Sequence, residues 1–461
     1  MNELIYASVT ALAKAIRAKE VSSREVVDAY LQRIEAVNPR LNAVVQVAAD
    51  AARDQARAAD SALARGEIKG PLHGVPMTIK DSLDTAGVIS TGGTTGRRSF
   101  VPTRDATVVA RLRGAGAILL GKTNTPELTL SVETDNLVYG RTNNPYDLSL
   151  IPGGSSGGAA SIVAAGGSPF DLGTDTGGSI RQPAHFCGIA GIKPTSGRVP
   201  RTGHIISYDM GALDALTQIG PMARFVKDLG LILRIIAGVD WRDPAIVPMP
   251  LGDPRAIALE DLRAAFYTDN GIASPTPETA DVVRTATTVL SEAGVGVKED
   301  RPPGIEHAGG MWMQLAVADG SAWIRRLLQE AGTTEVHPVL KDRFLGRETV
   351  SAAEFSGMLT RLDRVRSAMI SFLEKYDVIV CPVNAYPAMP HGASAEKSAG
   401  FSYTRIYNLT GWPAAVVRGG TSPEGLPIGL QIVARPWRED VALAVAQHVE
   451  AASGGWQRPP I

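Results

Sequence analysis

The sequence predicts an α/β fold, and three observations carry that expectation. The hydrophobic period changes from helical to strand-like near residue 75, short apolar runs then alternate with a helical pattern, and strand-like runs return before the C-terminus. At 461 residues the chain exceeds the size at which one hydrophobic core usually stops growing. It is therefore one large α/β domain or two closely fused ones, with room for a deep buried site.

Over residues 8–64, Leu12, Ile16, Val26, Val27, Tyr30, Leu31 and Ile34 recur at helical intervals, and Ser22 and Ser23 are capping candidates. Residues 1–65 are thus expected to form an N-terminal helical region, a scaffold or a dimer interface, ahead of an α/β domain over 66–461. Residues 75–79 and 117–120 are expected strands, with a helix over 106–113 between them. A Gly- and Ser-rich tract over 153–203 pairs its glycines where a buried loop needs unusual φ values, and it is the expected active-site core. The Pro-rich stretch 241–254 is expected to cross the surface into a variable substrate-side cover over 241–403, with helices near 279–292 and 353–374. Residues 378–381, 414–417 and 428–433 are further expected strands, and a last helix lies near 441–452.

Composition narrows the function. Hydrophobic residues make up 44% and charged residues 20%, as in an ordinary globular protein. Forty-six basic against forty-seven acidic residues lack the positive excess that binding a polyanion requires, so no nucleic-acid partner is expected. Cys187 and Cys381 are the two cysteines, without CxxC spacing, and no HExxH occurs; neither a metal nor a cofactor is expected. Glu3, Lys14, Arg17, Lys19 and Glu20 interrupt the apolar residues of the first twenty positions, unlike a signal peptide. The weakly charged stretch 151–170 is crowded with Gly, Ser and Pro, a poor match to a bilayer helix of about 20 apolar residues. A cytoplasmic enzyme without a membrane span is the expectation.

The segment Ile151-Pro-Gly-Gly-Ser-Ser-Gly-Gly-Ala-Ala160 packs four glycines around two serines, ahead of a small-residue run able to form a closely packed helix. A phosphate loop would need a lysine that does not follow at the required position. The nucleophile elbow of an α/β-hydrolase is formally satisfied by Gly153 to Gly157, and six histidines lie downstream as candidates for its base. A third reading adds Asp175-Thr-Gly-Gly-Ser-Ile-Arg-Gln-Pro-Ala184, where a second serine follows paired glycines.

Lys80 in Gly74-Val-Pro-Met-Thr-Ile-Lys-Asp81, Ser155 in the Gly/Ser tract and Ser179 in the second motif together resemble the amidase signature family. Further matches are Gly121-Lys-Thr-Asn-Thr-Pro-Glu127, Cys187-Gly188, Gly191-Ile-Lys-Pro-Thr195, Gln218-Ile-Gly-Pro-Met222, Asn408-Leu-Thr-Gly-Trp-Pro413 and Gly425-Leu-Pro-Ile-Gly-Leu-Gln431. The resemblance implies a large mixed sheet flanked by helices, no cofactor, and hydrolysis of an amide, ester or carbamate. It makes Ser179 the nucleophile, Ser155 a bridging serine after a cis peptide at Gly154, and Lys80 the base. Lys80 must then be neutral, which burial near Val75, Met77 and Ile79 would favour. Thr176, Gly177, Gly178 and Ser179 are the expected oxyanion donors, since glycine tolerates the dihedrals that aim consecutive N–H groups at one point. Asp175 and Arg181 are expected to orient that loop without touching substrate.

Other groups compete less well. Cys187 beside His185 reads as a buried small residue and His73 as structural, and Trp312, Trp323, Tyr208 and Tyr403 are read as core with no assigned substrate contact. A small-molecule amide or carbamate is the expected substrate of a monomer or homodimer. The alternative is the glutaminase subunit of a tRNA-dependent amidotransferase, against which residues 203–214, with Tyr208-Asp-Met-Gly211, read longer and different.

Overall fold

The computed structural model describes residues 4–211 and 216–461. Near the N-terminus, helices Val9–Arg17, Ser23–Leu41 and Ala49–Ala64 bury one apolar face each. Ser22 caps the second in a reciprocal box, accepting the Glu25 N–H while the Glu25 carboxylate accepts the Ser22 N–H. Between the second and third helices lies β1 (Val44–Val47), a strand inside the stretch whose period reads as helical. β1 pairs antiparallel with β3 (Ile118–Thr123), and β3 pairs in parallel with β2 (Pro76–Lys80), giving a three-stranded sheet in the order β1-β3-β2.

Among the described residues a second sheet has eight strands. In chain order they are β4 (Phe170–Asp175), β5 (Ala190–Lys193), β6 (Gln218–Ala223), β7 (Arg263–Phe266), β8 (Gly296–Glu299), β9 (Val378–Pro382), β10 (Ala414–Thr421) and β11 (Pro427–Ala434). Their order across the sheet is β4-β6-β5-β10-β11-β9-β7-β8. Pairing is antiparallel from β4 to β9 and parallel at β9-β7-β8, so the sheet is mixed, as expected.

Successive strand residues face opposite sides, and here both sides are buried. Along β9, Val378 and Val380 enter one large apolar cluster while Ile379 and Cys381 enter the other. β7, β10 and β11 alternate in the same way, through Ala264 and Ala265, Ala414 and Ala415, and Ile432 and Val433. The first cluster joins the N-terminal helices, the three-stranded sheet and the last helix, Glu439–Ser453. The second is filled by the cover helices, chiefly through Trp312, Trp323, Phe344, Met369 and Tyr403. The active-site loops lie at the edge where β2 and β4 end, between the two clusters. Residues 212–214, the last three of the stretch noted in the sequence, lie outside the described residues.

Candidate active site

Lys80 is the last residue of β2, and every residue of that strand is buried. Its Nζ reaches Ser155 Oγ at 2.7 Å, Ser156 Oγ at 2.9 Å and Thr174 Oγ1 at 2.8 Å. Burial drives its pKa well below the ordinary lysine range, and the nearby Asp171 and Asp175 carboxylates pull it only part of the way back. Asp171 is itself pushed up to about 7 by burial, against hydrogen bonds from Thr78 Oγ1 at 2.5 Å and Thr123 Oγ1 at 3.1 Å. A neutral amine keeps two N–H donors and a lone pair, so in that form one of the three hydroxyls donates to Lys80.

The Gly/Ser tract supplies the next group. The Gly154–Ser155 peptide is cis, and the helix Gly157–Ala164 starts two residues later. A Cβ on Gly154 would stand 2.7 Å from the Val132 carbonyl carbon, so only glycine fits against that backbone. Ser156 N–H donates to Ser179 O at 3.2 Å, which ties the two serine loops together. Ser179 is half-buried in the wall of a narrow slot, and its hydroxyl has no hydrogen-bond partner among the described residues. The contact chain is thus closed between Lys80 and Ser155 and open between Ser155 and Ser179.

The loop after β4 is organised by Asp175. Its carboxylate accepts from Gly178 N at 2.8 Å, Ile180 N at 3.1 Å and Asn408 Nδ2 at 2.8 Å, and pairs with Arg181 at 3.0 Å with both side chains fully buried. Burial alone would raise the Asp175 carboxyl; the Arg181 guanidinium and these hydrogen bonds outweigh it and hold the group below the ordinary carboxylate range. Gly178 has φ +125, and a Cβ there would stand 2.4 Å from Thr404 Oγ1. Gly178, one of the expected oxyanion donors, gives its N–H to Asp175 Oδ1 in this structure. The N–H groups of Thr176, Gly177 and Ser179 meet no acceptor among the described residues.

Sequence reasoning missed several groups that surround Ser179. Leu130, Val132, Trp312 and Phe344 form apolar walls of the slot, and Arg343 and Arg405 stand at its edge. Trp312 Nε1 donates to Thr176 O at 2.8 Å, and its ring covers Gly177, so the expected core residue is also a wall of the site. The slot shares Ser131, Val132, Arg343 and Arg405 with a wider cavity of about 820 Å³. No sequence signal marked these residues, because they come from the cover and meet Ser179 only through packing. Thr174 and Ser156 were legible only as neighbours of the motif serines.

The competing groups find other places. No histidine lines the slot, so a serine-histidine pair is not formed there. His185 is enclosed between Gly429 and Tyr386 O, with burial lowering its pKa to about 4. Burial pushes the Cys187 thiol up, away from thiolate chemistry. Trp323 and Tyr403 are core, and Tyr208 lines a separate cleft with Phe100 and Arg97. Among the described residues no group of three His, Cys, Asp or Glu side chains is arranged to hold a metal ion, and no helix is long and apolar enough to cross a membrane.

The sequence model of the Amidase family matches residues 25–443. One of the subunits of the glutamyl-tRNA(Gln) amidotransferase of Roseiflexus sp. (strain RS-1) is 37% identical, over 97% of this chain and 96% of its own. Among solved structures, a fatty acid amide hydrolase superposes with a TM-score of 0.89 at 26% identity, over 98% of this chain and 86% of that one. A bacterial aryl acylamidase of the amidase signature enzymes superposes at 0.86 with 28% identity, over 97% and 96%.

Proposed function

The chain belongs to the Amidase family, the amidase-signature enzymes, and from that premise we propose that it works alone, as a monomer or homodimer, hydrolysing a carboxylic amide or carbamate through an acyl-enzyme on Ser179. Ser179 Oγ attacks the carbonyl carbon while its proton passes through the Ser155 hydroxyl to neutral Lys80. The N–H groups of Thr176, Gly177 and Ser179 receive the oxyanion. Protonated Lys80 then returns the proton to the departing nitrogen and the amine leaves. Water attacks the Ser179 acyl group by the same relay, releasing the acid, or from a carbamate the carbonic half-ester, which loses carbon dioxide to give the alcohol, and restoring both groups. Gly154, Asp175 and Arg181 hold the two loops in register. An ester offers the same carbonyl, so esterase side activity is expected, and no step calls for a cofactor.

What supports the relay is a buried amine, depressed in pKa, at 2.7 Å from the hydroxyl of Ser155. Work without partner subunits is supported by the slot itself: among the described residues its walls carry two arginines and no carboxylate. Glutamine would bring an ammonium group there and find no acid to neutralise it, which is costly in a desolvated site. The second reading, a glutaminase subunit of an amidotransferase, is favoured by the amidotransferase relative at 37% identity.

The test is turnover by the purified chain of an aryl amide, an aryl carbamate, an ester and glutamine. The acyl compounds are expected to react, and Ser179→Ala and Lys80→Ala to lower their turnover by about 10⁴-fold or more. Turnover of glutamine alone, or none without partner subunits, hands the case to the second reading.

A further inference from the structure

We infer that Arg343 and Arg405 form an anion subsite at the mouth of the slot, so that the acyl compound cleaved at Ser179 carries a carboxylate, on its acyl part or on its leaving amine. This rests on the hydrolase reading of Ser179. The two side chains come from separate helices, Pro338–Phe344 and Ser402–Leu409, and converge on both the slot and the wider cavity.

Neither guanidinium has an ion pair or a hydrogen bond among the described residues. Arg405 lies over the Trp312 ring at 5.7 Å and Arg343 over Phe344 at 5.3 Å, and among the described residues those aromatic faces are the only partners of the two guanidinium groups. Arginines that are buried differ from these two half-buried ones. Arg181 pairs with Asp175, Arg198 with Glu439 and Arg201 with Asp243, while Arg224 donates to four backbone carbonyls. A guanidinium presents five donors in a fixed fork suited to a carboxylate, and leaving two such forks unused in a partly desolvated site is unfavourable.

Among the described residues the neighbourhood gives them no counter-ion. Burial, and then the charge of Arg343, lower the Arg405 pKa to about 10, so the two cations oppose each other. Of the acids in the wider cavity, Glu133 accepts the N–H groups of Gly392 and Ser394, and Asp135 faces His337 at 3.8 Å. Asp342 is exposed and forms no ion pair with either arginine. An apolar segment lying along Trp312 and Leu130, with a carboxylate beyond it, would fill the slot and satisfy both forks.

Two matched pairs of anilides test this. Succinanilate and its neutral methyl-ketone analogue place the charge on the acyl side; 4-acetamidobenzoate and 4-acetamidoacetophenone place it on the leaving side. In wild type, the carboxylate member of one pair is expected to exceed its neutral partner in kcat/KM by about tenfold or more, and the pair that responds identifies the side. That ratio should fall by about tenfold in Arg343→Gln and in Arg405→Gln, and by less in Arg405→Lys, which keeps the charge without the fork. Each ratio is internal to one variant, so a loss of folded protein does not alter it. A ratio near one for both pairs in wild type, or an unchanged ratio in both Gln variants, overturns the subsite and leaves the hydrolase reading standing. Should no anilide turn over, the hydrolase reading rests on the carbamate and ester of the first panel, and calorimetry of succinanilate and 4-acetamidobenzoate with Ser179→Ala decides the subsite. Binding that Arg405→Gln abolishes upholds it, and absence of binding overturns it.

Discussion

A lysine amine enclosed by Ser155, Ser156 and Thr174 is pushed toward its neutral form by the cost of burying its charge, and that shift sets the pH behaviour expected of it. A base acts when deprotonated, so kcat/KM should rise with pH along an acidic limb and level off above the Lys80 pKa. Because burial lowers that pKa, the limb should lie well below the ordinary lysine value of about 10.4. A pH–rate profile on an aryl amide checks this; a limb at the ordinary lysine value would remove Lys80 from the base role. Ser155 and Ser179 were legible as residues because each stands in a distinctive Gly-rich phrase. Gly178 was legible too, yet its task was not: whether an N–H is free depends on the Asp175 carboxylate three residues earlier, which the loop folds back to meet it.

At the scale of elements, the loop after β4 is held by one buried acid that serves three backbone N–H groups, Asn408 and Arg181. Asp175→Asn keeps the shape but leaves the Arg181 charge buried without its counter-ion, an expected loss of about 3–5 kcal/mol in chemical denaturation. A loss under about 1 kcal/mol would mean that the loop holds itself. The strands themselves were unevenly readable. β3, β9, β10 and β11 carry runs of Val, Ile or Leu that announce a strand, whereas β4 (Phe-Asp-Leu-Gly-Thr-Asp) and β6 (Gln-Ile-Gly-Pro-Met-Ala) carry Gly, Pro and Asp, which ordinarily argue against one. Pairing between the two strands, and burial on both faces, override those local preferences.

Across the whole molecule, the eight-stranded sheet is shared by two apolar clusters, so neither should unfold alone. Ile379 and Ile432 are both fully buried and point to opposite clusters. Ile379→Ala and Ile432→Ala are each expected to cost about 2–5 kcal/mol. Each should shift one common transition, seen alike by tryptophan fluorescence, to which three of the six tryptophans, Trp312, Trp323 and Trp412, contribute from the cover side, and by far-ultraviolet ellipticity. Separate transitions for the two probes would show that the cover melts independently.

The sequence by itself determined the fold class and the family and pointed to Lys80, Ser155 and Ser179 as candidates, because each stands in a short phrase with a local signature. Only the tertiary structure decided which N–H groups meet an acceptor among the described residues, that Trp312 walls the slot, and that Arg343 and Arg405 meet beside Ser179 without an ion pair among the described residues. Those facts depend on segments far apart in the chain packing across one sheet, and the pattern of neighbouring residues carries no record of such contacts.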